Sequence, residues 1–175
     1  ADINAIDLEI DSNDPDEIIN SIKNFASSFG GINLEDIAAP DCFIIEEKLK
    51  KLLDIPVFHD DQHGTAIITC AALINAIDIA KKDIKKIKVV VNGAGASAIA
   101  CANLFKKSGV LKKNLTMIDR KGVIYKGRKD LSKWKLDHAI ETRNRTLNDA
   151  IKNADVFLGL SSAGVLKKEM VKKMA

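Results

Sequence analysis

The stretch Val89-Val-Val-Asn-Gly-Ala-Gly-Ala-Ser-Ala98 decides how this chain is expected to fold. The predicted strand Lys88–Val91 ends in three consecutive valines, which is typical of a strand buried at the centre of a parallel sheet. Two glycines follow and permit a tight turn, and small residues then open a helix that is expected to run to about Lys107. A strand, a glycine turn and a helix in this order predict the phosphate-binding unit of a dinucleotide-binding α/β domain.

The small residues of the turn have separate expected roles. Gly93 permits the tight turn, Gly95 lets the backbone approach a pyrophosphate, and Ala98 allows the helix to pack closely on the strand. The first amides of the helix favour phosphate groups. The expected cofactor-binding residues of this segment are Gly93, Ala94, Gly95, Ala96, Ser97 and Ala98. A structural turn without a ligand is the alternative, and the strand, turn and helix in register disfavour it.

Two later strand ends complete the expected cofactor site. Asp119 ends a strand about 20 residues beyond the turn, where a carboxylate accepts hydrogen bonds from the adenosine ribose. This carboxylate favours NAD because it repels a 2′-phosphate, whereas Arg120 and Lys121 could bind that phosphate in NADP. Ser161 follows another strand, Val156–Leu160, and is expected to line the nicotinamide half of the cofactor.

Two acidic pairs lie upstream of the turn. Glu35 and Asp36 follow the predicted strand Ile32–Leu34, and Asp60 and Asp61 closely follow another apolar strand. Both pairs are expected on strand-end loops, where four converging carboxylates would repel one another without a cation. Hard divalent cations such as Mg²⁺ or Mn²⁺ take oxygen ligands of this kind. Solvation of strand ends and helix capping are the alternative, and for Asp36 alone they would be the better explanation.

The remaining elements follow from hydrophobic periodicity and turn residues. Alternation of strands and helices predicts an α/β fold, with a Rossmann-like, doubly wound parallel sheet preceded by part of a smaller α/β lobe. One helix is predicted to begin after Asn13 and a second at Pro40. Three further helices are predicted over about 65–80, 96–107 and 146–153, and the helix Thr65–Ala80 is expected to be buried. The further predicted strands are Ile6–Ile10, Ile55–Phe58 and Leu115–Ile118.

The histidines give a weaker signal. His59 and His63 are four residues apart, a spacing that suits zinc only on a continuous helix. Gly64 is expected to interrupt any helix there, so both side chains are predicted to make polar hydrogen bonds near the cofactor pocket. His138 lies in a charged region and is predicted to be a surface residue.

Composition and charge exclude several classes of protein. The sequence of 175 residues is 46% hydrophobic and 29% charged with a net charge of +3, which suits a globular protein. The basic run Lys81–Lys88 lacks interleaved aromatic residues, so no nucleic acid is expected as a partner. No apolar run reaches the ~18 residues of a membrane span. The cysteines Cys42, Cys70 and Cys101 lie in apolar contexts, which favours free thiols in a reducing, cytoplasmic compartment.

These motifs together resemble the malic enzymes, especially the bacterial type. The resemblance covers almost the whole chain, and its most specific parts are Phe29–Ile37, Val57–Ala66 and the glycine turn. It implies oxidative decarboxylation of L-malate to pyruvate and CO₂ with reduction of NAD or NADP, and it slightly favours NADP. It also implies a small-molecule substrate and a homo-oligomer, commonly a dimer.

The resemblance also assigns roles to the acidic residues. It implies that Glu35, Asp36 and Asp61 hold Mg²⁺ or Mn²⁺, and that Asp60 supports the catalytic lysine of the family. Residues 1–61 would then be the C-terminal part of the lobe that binds malate and metal, and residues 62–175 the NAD(P)-binding domain.

Two other functions remain open at this stage. Another NAD(P)-dependent dehydrogenase of this architecture, such as an amino-acid dehydrogenase, would not need the two acidic pairs. A non-catalytic dinucleotide-binding module would bind cofactor without turning over a substrate.

The sequence predicts that this polypeptide does not turn over malate by itself. In the family, a tyrosine is the general acid and a lysine the general base, and both are expected upstream of this chain. The purified chain should therefore produce no more NADH or NADPH from malate than an Asp61→Ala variant does, as followed by nicotinamide absorbance. Turnover above that control would show that these residues suffice for catalysis.

Overall fold

In the computed structural model, which describes residues 2–175, the chain forms two units. The first unit ends at Asp60, and the second spans Asp61–Ala175. Each unit contains both helices and parallel strands.

The first unit pairs two short strands beside two helices. Its elements are α1 (Pro15–Phe25), β1 (Ile32–Leu34), α2 (Asp41–Leu52) and β2 (Val57–His59). The α1 helix begins where predicted, because an oxygen of Asp14 accepts the amides of Asp16 and Glu17 at 2.7 and 3.3 Å and Pro15 suits the first turn. The strands are parallel, with Leu34 opposite His59. The core of this unit includes the buried cluster Ile19, Ile22, Leu34, Ile45, Leu49 and Val57.

The predicted strand at Ile6–Ile10 is wrong. Residues 2–14 contain no helix or strand. Ile6 and Leu8 are 67% and 51% exposed, so the apolar side of the alternation is not buried. Alternation alone does not form a strand, because the backbone groups also need a partner edge. In the described part of this unit, the sheet consists of β1 and β2 alone.

The helix α3 (Asp60–Ile79) starts directly after β2 and differs from its prediction in two ways. It begins five residues before Thr65 and includes Gly64, because the cost of about 1 kcal/mol for one glycine is small in a 20-residue helix. It is also not buried all round. Its buried face includes Ala66, Cys70 and Leu73, whereas residues 67, 68 and 74, all isoleucine, are 57%, 70% and 49% exposed.

The second unit is built on a four-stranded sheet. Its strands are β3 (Val89–Asn92), β4 (Leu115–Asp119), β5 (Gly122–Val123) and β6 (Val156–Gly159), in the order β5-β4-β3-β6. The β3 strand is central, entirely buried and parallel to β4 and β6, and only β5 is antiparallel. This confirms the predicted strands and the predicted α/β fold class.

Apolar clusters cover both faces of this sheet. Phe157 packs in one cluster with Val90 and Ile151, while the next residue of β6, Leu158, packs in another with Ala66 and residues 100–101. Consecutive strand residues point to opposite faces, so the sheet is covered on both sides, as in a doubly wound fold.

The helices of the second unit include α4 (Ala96–Lys107) and three short ones: α5 (Lys133–Leu136), α6 (Leu147–Ala150) and α7 (Lys168–Val171). The bounds of α4 match the prediction. The α6 helix begins after Thr146 through a reciprocal capping box with Asp149, but it ends three residues before the predicted Asn153. No helix within residues 2–175 has the length and apolar character that crossing a membrane requires.

The prediction that His138 lies at the surface is wrong. Its side chain is only 2% exposed, and neither ring nitrogen has a hydrogen-bond partner within residues 2–175. Burial, together with the positive charge of Lys106, lowers the pKa of His138 to about 4. The imidazole is therefore neutral at pH 7.

The buried His138 should make the stability of the chain depend on pH. The unfolded chain takes up a proton near the ordinary histidine pKa of about 6.5, whereas the folded chain does so only near pH 4. Stability should thus fall by up to about 3 kcal/mol as pH drops between these values. Urea unfolding at several pH values in this window should show a smaller decrease for His138→Leu than for the wild type. Equal decreases would contradict this account.

Candidate dinucleotide and metal sites

The glycine turn after β3 is fixed by close backbone approach. Gly93 has a φ of 141°, and a Cβ there would overlap the carbonyl oxygen of Leu160. Its amide donates a hydrogen bond of 2.8 Å to the carbonyl of Ile118 in β4. Only glycine combines this φ with this lack of space, so Gly93 is required by the fold itself.

Gly95 has a different environment. Its φ of −85° suits any residue, and a Cβ built there would meet nothing within 4 Å. Gly95 is the N-cap of α4 and provides no side chain to accept the first amides of that helix. The start of α4 therefore has open space and amides without a side-chain cap, as phosphate binding requires. Ala98, in the first turn, is fully buried, as its predicted packing role requires.

Ser161 is held beside the end of β3 by Asn92, a residue whose role the sequence analysis missed. The Asn92 side-chain amide donates a hydrogen bond of 2.6 Å to the Ser161 hydroxyl, and the backbone carbonyl of Asn92 accepts the Leu160 backbone amide at 2.8 Å. The loop after β6 thus lies against the end of β3, near Gly93. A polar residue closing an otherwise apolar central strand was the available signal.

Asp119 lies at the end of β4 and is already hydrogen-bonded. One carboxylate oxygen accepts the Lys121 backbone amide at 2.9 Å, and the other accepts Arg128 at 2.8 Å and Lys135 at 3.0 Å. Burial raises the pKa of Asp119, but the three hydrogen bonds outweigh it and hold the pKa below its usual range. The carboxylate is therefore ionised and paired with two cations.

Arg128 is the centre of this cluster of charges. Its guanidinium also binds both carboxylate oxygens of Asp130 and the backbone carbonyls of residues 122 and 123. Of the two cations that the sequence suggested, Lys121 pairs with Asp130 at 2.8 Å, and Arg120 is exposed. The sequence analysis missed Arg128 and Lys135, because they lie 9 and 16 residues beyond Asp119 in a region without regular periodicity.

The structure places the acidic residues at consecutive strand ends. Glu35 and Asp36 follow β1, and both are exposed; Glu35 accepts a hydrogen bond of 2.7 Å from Asn33, and Asp36 has a φ of 56°. Because Leu34 pairs with His59, the following residues Glu35 and Asp60 leave the same end of the strand pair.

Asp60 and Asp61 were predicted to lie on a loop, and this prediction is wrong. They are the first two residues of α3. The reason is that β2 continues into α3 without a connecting segment, and carboxylates are favoured at the positive end of a helix. The oxygen donors of the predicted ligand set suit Mg²⁺ or Mn²⁺ in chemical type. Within residues 2–175, however, no three His, Cys, Asp or Glu side chains are grouped so as to hold a metal ion.

The structure contradicts the polar role predicted for His59 and the helix interruption predicted next to His63. His59 is fully buried in β2, and neither of its ring nitrogens has a hydrogen-bond partner within residues 2–175, so the polar role predicted for it is wrong. His63 lies in α3, which continues through Gly64, so the helix interruption used against zinc is also wrong. Zinc still gains no support, since the same described residues contain no group of three metal-binding side chains.

The central strand, glycine turn, helix and strand-end carboxylate define a Rossmann-like α/β domain. The family model described as "Malic enzyme, NAD binding domain" matches residues 62–175, and the one described as "Malic enzyme, N-terminal domain" matches residues 6–50. The chain therefore belongs to the malic enzyme family, which confirms the resemblance seen in the sequence.

Individual relatives agree with this assignment. The chain is 58% identical over 176 residues to a probable NADP-dependent malic enzyme of Rickettsia prowazekii, and 51% identical to an NAD-dependent malic enzyme of Rhizobium meliloti. Each match covers all of this chain but only 23% of the relative. A solved NAD-dependent malic enzyme of Thermotoga maritima superimposes with a TM-score of 0.93 at 40% identity, over all of this chain and 48% of that one. The chain thus spans about a quarter to a half of the length of these relatives.

The two glycines of the turn should respond differently to alanine. Gly95→Ala should leave the fold unchanged, because its Cβ has open space, but should weaken dinucleotide binding, because the methyl group occupies the approach to the phosphates. Gly93→Ala should lower the free energy of unfolding, because it overlaps Leu160. Calorimetric titration with NADPH measures the effect on binding, and unfolding in urea measures the effect on stability. Unchanged NADPH affinity in a folded Gly95→Ala protein would contradict the assignment.

Proposed function

We propose that the whole protein to which this chain belongs catalyses the divalent-metal-dependent oxidative decarboxylation of L-malate to pyruvate and CO₂, with reduction of NAD or NADP. The observation that carries this proposal is the open turn at Gly95, which leads into the uncapped start of α4 in a chain of the malic enzyme family. The relatives named above as malic enzymes support the reaction.

The cofactor part of the proposal rests on the second unit alone. The pyrophosphate would bind at the amides of residues 94–98, and Gly95 leaves space for it. The adenosine ribose would lie toward Asp119 and Arg120 at the end of β4. Ser161, held by Asn92, would line the nicotinamide half. This arrangement follows the rule that such sheets bind ligands beyond the carboxyl ends of their strands.

The metal part of the proposal rests on donor chemistry and on position along the chain. We propose Glu35, Asp36 and Asp61 as the ligands of Mg²⁺ or Mn²⁺, with Asp60 in a supporting role. All four are exposed carboxylates that directly follow parallel strands or open α3. A cation held there would supply positive charge to the oxygens of malate. The contribution of the chain is to offer these hard oxygen donors.

The compartment and the assembly are part of the same proposal. We infer a cytoplasmic homo-oligomer, commonly a dimer in this family. The buried cysteines Cys42, Cys70 and Cys101 form no disulfide within residues 2–175, which suits a reducing compartment. The exposed isoleucines of α3, residues 67, 68 and 74, suit a face that is covered in an assembly.

A non-catalytic dinucleotide-binding module is the second candidate. It is favoured by one observation, the lack of three grouped metal-binding side chains within residues 2–175. Such a module would keep the glycine turn in use and would bind dinucleotide without consuming malate.

Metal binding distinguishes the two functions. In the whole protein, Asp61→Asn should weaken Mn²⁺ binding roughly tenfold or more, because a charged oxygen ligand is lost, and malate-dependent NADPH production should fall with it. Mn²⁺ binding is measured by electron paramagnetic resonance, which is independent of turnover.

Asp54→Asn is the matched control for this test, since Asp54 is an exposed acid that lies shortly before β2, the strand that Asp61 follows. It removes the same charge and should change neither Mn²⁺ affinity nor turnover. Equal Mn²⁺ affinity in the wild type and Asp61→Asn would refute the ligand assignment. Tight NADPH binding with no turnover of malate in the wild type would favour the non-catalytic module.

A further inference from the structure

A surface rich in lysine lies at the opposite end of the sheet from the candidate cofactor site. The strands β3 and β4 are parallel, with Val89 opposite Leu115, so the segments that lead into them lie together at the amino ends of the strands. The glycine turn and Ser161, in contrast, follow the carboxyl ends. We call residues 79–88 and 106–113 the lysine face.

Contacts within the second unit join the two segments of the lysine face. The Asn114 side-chain amide donates a hydrogen bond of 3.0 Å to the backbone carbonyl of Lys85. The backbone of Gly109 lies so close to Ile84 that a Cβ built on the glycine would be 3.1 Å from the isoleucine side chain. The two segments therefore form one continuous surface.

An ion pair attaches the end of α3 to the same surface. Lys82, three residues beyond the last residue of α3, pairs with one carboxylate oxygen of Asp155, and the other oxygen accepts the Lys88 backbone amide at 2.7 Å. Lys88 directly precedes β3, and Asp155 directly precedes β6. Ile79, the last residue of α3, thus lies near the amino ends of these strands.

The lysine face is strongly positive. Its nine lysines are Lys81, Lys82, Lys85, Lys86, Lys88, Lys106, Lys107, Lys112 and Lys113. Four aspartates lie within it or beside it, namely Asp78, Asp83, Asp137 and Asp155. Nine lysines and four aspartates leave a net charge of +5, whereas the whole chain carries +3. The rest of the chain is therefore net negative, and the positive charge is concentrated at this end of the sheet.

Helix capping accounts for only part of this charge. Lysines are favoured at the negative ends of helices, and both α3 and α4 end within the lysine face. Each helix end carries about half an elementary charge, so the two ends together offset about one positive charge. Lys106, in the last turn of α4, is crowded, because burial and the charge of Lys112 both lower its pKa. The excess of positive charge attracts an extended anionic surface.

Two large apolar side chains lie among the lysines. Ile79 is 83% exposed, the highest fraction of any large apolar residue within 2–175, and Leu111 is 40% exposed. Leu111 directly precedes Lys112 and Lys113, and Ile79 lies two residues before Lys81. The lysine face contains no aromatic residue that could stack on nucleic acid bases. Lipid headgroups offer negative charge for the lysines, and the acyl boundary below them accepts the apolar side chains.

We propose that the lysine face is a docking surface for a lipid bilayer that contains anionic phospholipid. The lysines would lie at the headgroups, and Ile79 and Leu111 would enter the boundary between headgroups and acyl chains. No residue of the lysine face belongs to the candidate dinucleotide or metal site. The inference therefore goes beyond the proposed function and does not depend on it.

Co-sedimentation of the whole protein with lipid vesicles tests this inference. At low salt, the protein should bind vesicles of phosphatidylcholine and phosphatidylglycerol, mixed two to one, at least tenfold more tightly than vesicles of phosphatidylcholine alone, because several lysines contribute. Binding to the mixed vesicles should weaken as the salt concentration rises, because salt screens the attraction.

The double variant Lys85→Gln/Lys113→Gln removes one lysine from each segment. It should bind the mixed vesicles at least tenfold more weakly than the wild type, because each lysine at such a surface contributes about fivefold. The matched control is Lys23→Gln/Lys129→Gln, which removes the same charge from exposed lysines outside the lysine face. This control should bind as the wild type does.

A second pair of variants tests the apolar contribution. Ile79→Ser should weaken binding to the mixed vesicles about fivefold, because an apolar side chain no longer leaves water. Ile68→Ser changes another exposed isoleucine of α3 outside the lysine face and should leave vesicle binding unchanged. Thermal unfolding checks that each variant is folded. The variant Lys85→Arg/Lys113→Arg keeps both charges and should retain binding.

The outcomes separate the inference from the proposed function. Equal binding to both kinds of vesicle would overturn the inference, and so would equal losses in the two glutamine double variants, since only net charge would then matter. Binding to duplex DNA or to polyglutamate without binding to the mixed vesicles would also overturn it, because the partner would then be a nucleic acid or an acidic protein. Malate-dependent NADPH production without vesicles should be the same in the wild type and in both glutamine double variants. Its absence from the wild type would refute the proposed function, while vesicle binding would still decide the inference.

Discussion

The backbone contact between Gly93 and Leu160 is the constraint on which the candidate cofactor site depends. The chain leaves β3 so close to the carbonyl of Leu160 that no side chain fits, while the Gly93 amide binds Ile118 of the neighbouring strand. This contact brings together the ends of the three parallel strands. Three features consequently lie at the carboxyl ends of these strands: the start of α4, the Asp119 carboxylate and the loop that contains Ser161. The chemistry proposed for that edge follows from the packing beneath it.

The end of β4 illustrates how the neighbours of a residue decide its function. In sequence, Asp119 is an acid at the position that accepts a ribose. In the structure it is surrounded by Lys121, Arg128 and Lys135, and the cluster carries net positive charge. Arg128 fixes the segment by using its donors on carboxylates and carbonyls, whereas the side chain of Lys135 is more exposed. The ligand that a strand-end carboxylate can accept therefore depends on side chains that arrive from elsewhere in the chain.

The parts of the fold that were predictable depend on local residues. The β3 strand, the glycine turn and α4 were predicted within one residue, because an apolar run, glycines and small residues specify them within about 20 positions. The predictions of a strand at Ile6–Ile10 and of a surface position for His138 were wrong because strand pairing and burial depend on distant partners. The prediction that Gly64 interrupts the helix was wrong because the low helix propensity of one residue is a weak constraint within a long helix. Of the candidate site, the turn could be predicted, whereas Arg128 and Lys135 could not, since no pattern links them to Asp119.

The two glycines of the turn carry different kinds of constraint, although one residue separates them. Gly93 is required by Leu160, whether or not a cofactor ever binds. Gly95 has open space, so only a ligand penalises a side chain there. In a lineage where the gene persisted but the cofactor was no longer used, Gly95 would be free to drift, while Gly93 would remain. A relative that keeps the glycine equivalent to Gly93 but has lost the one equivalent to Gly95 would then be expected to have stopped binding the cofactor.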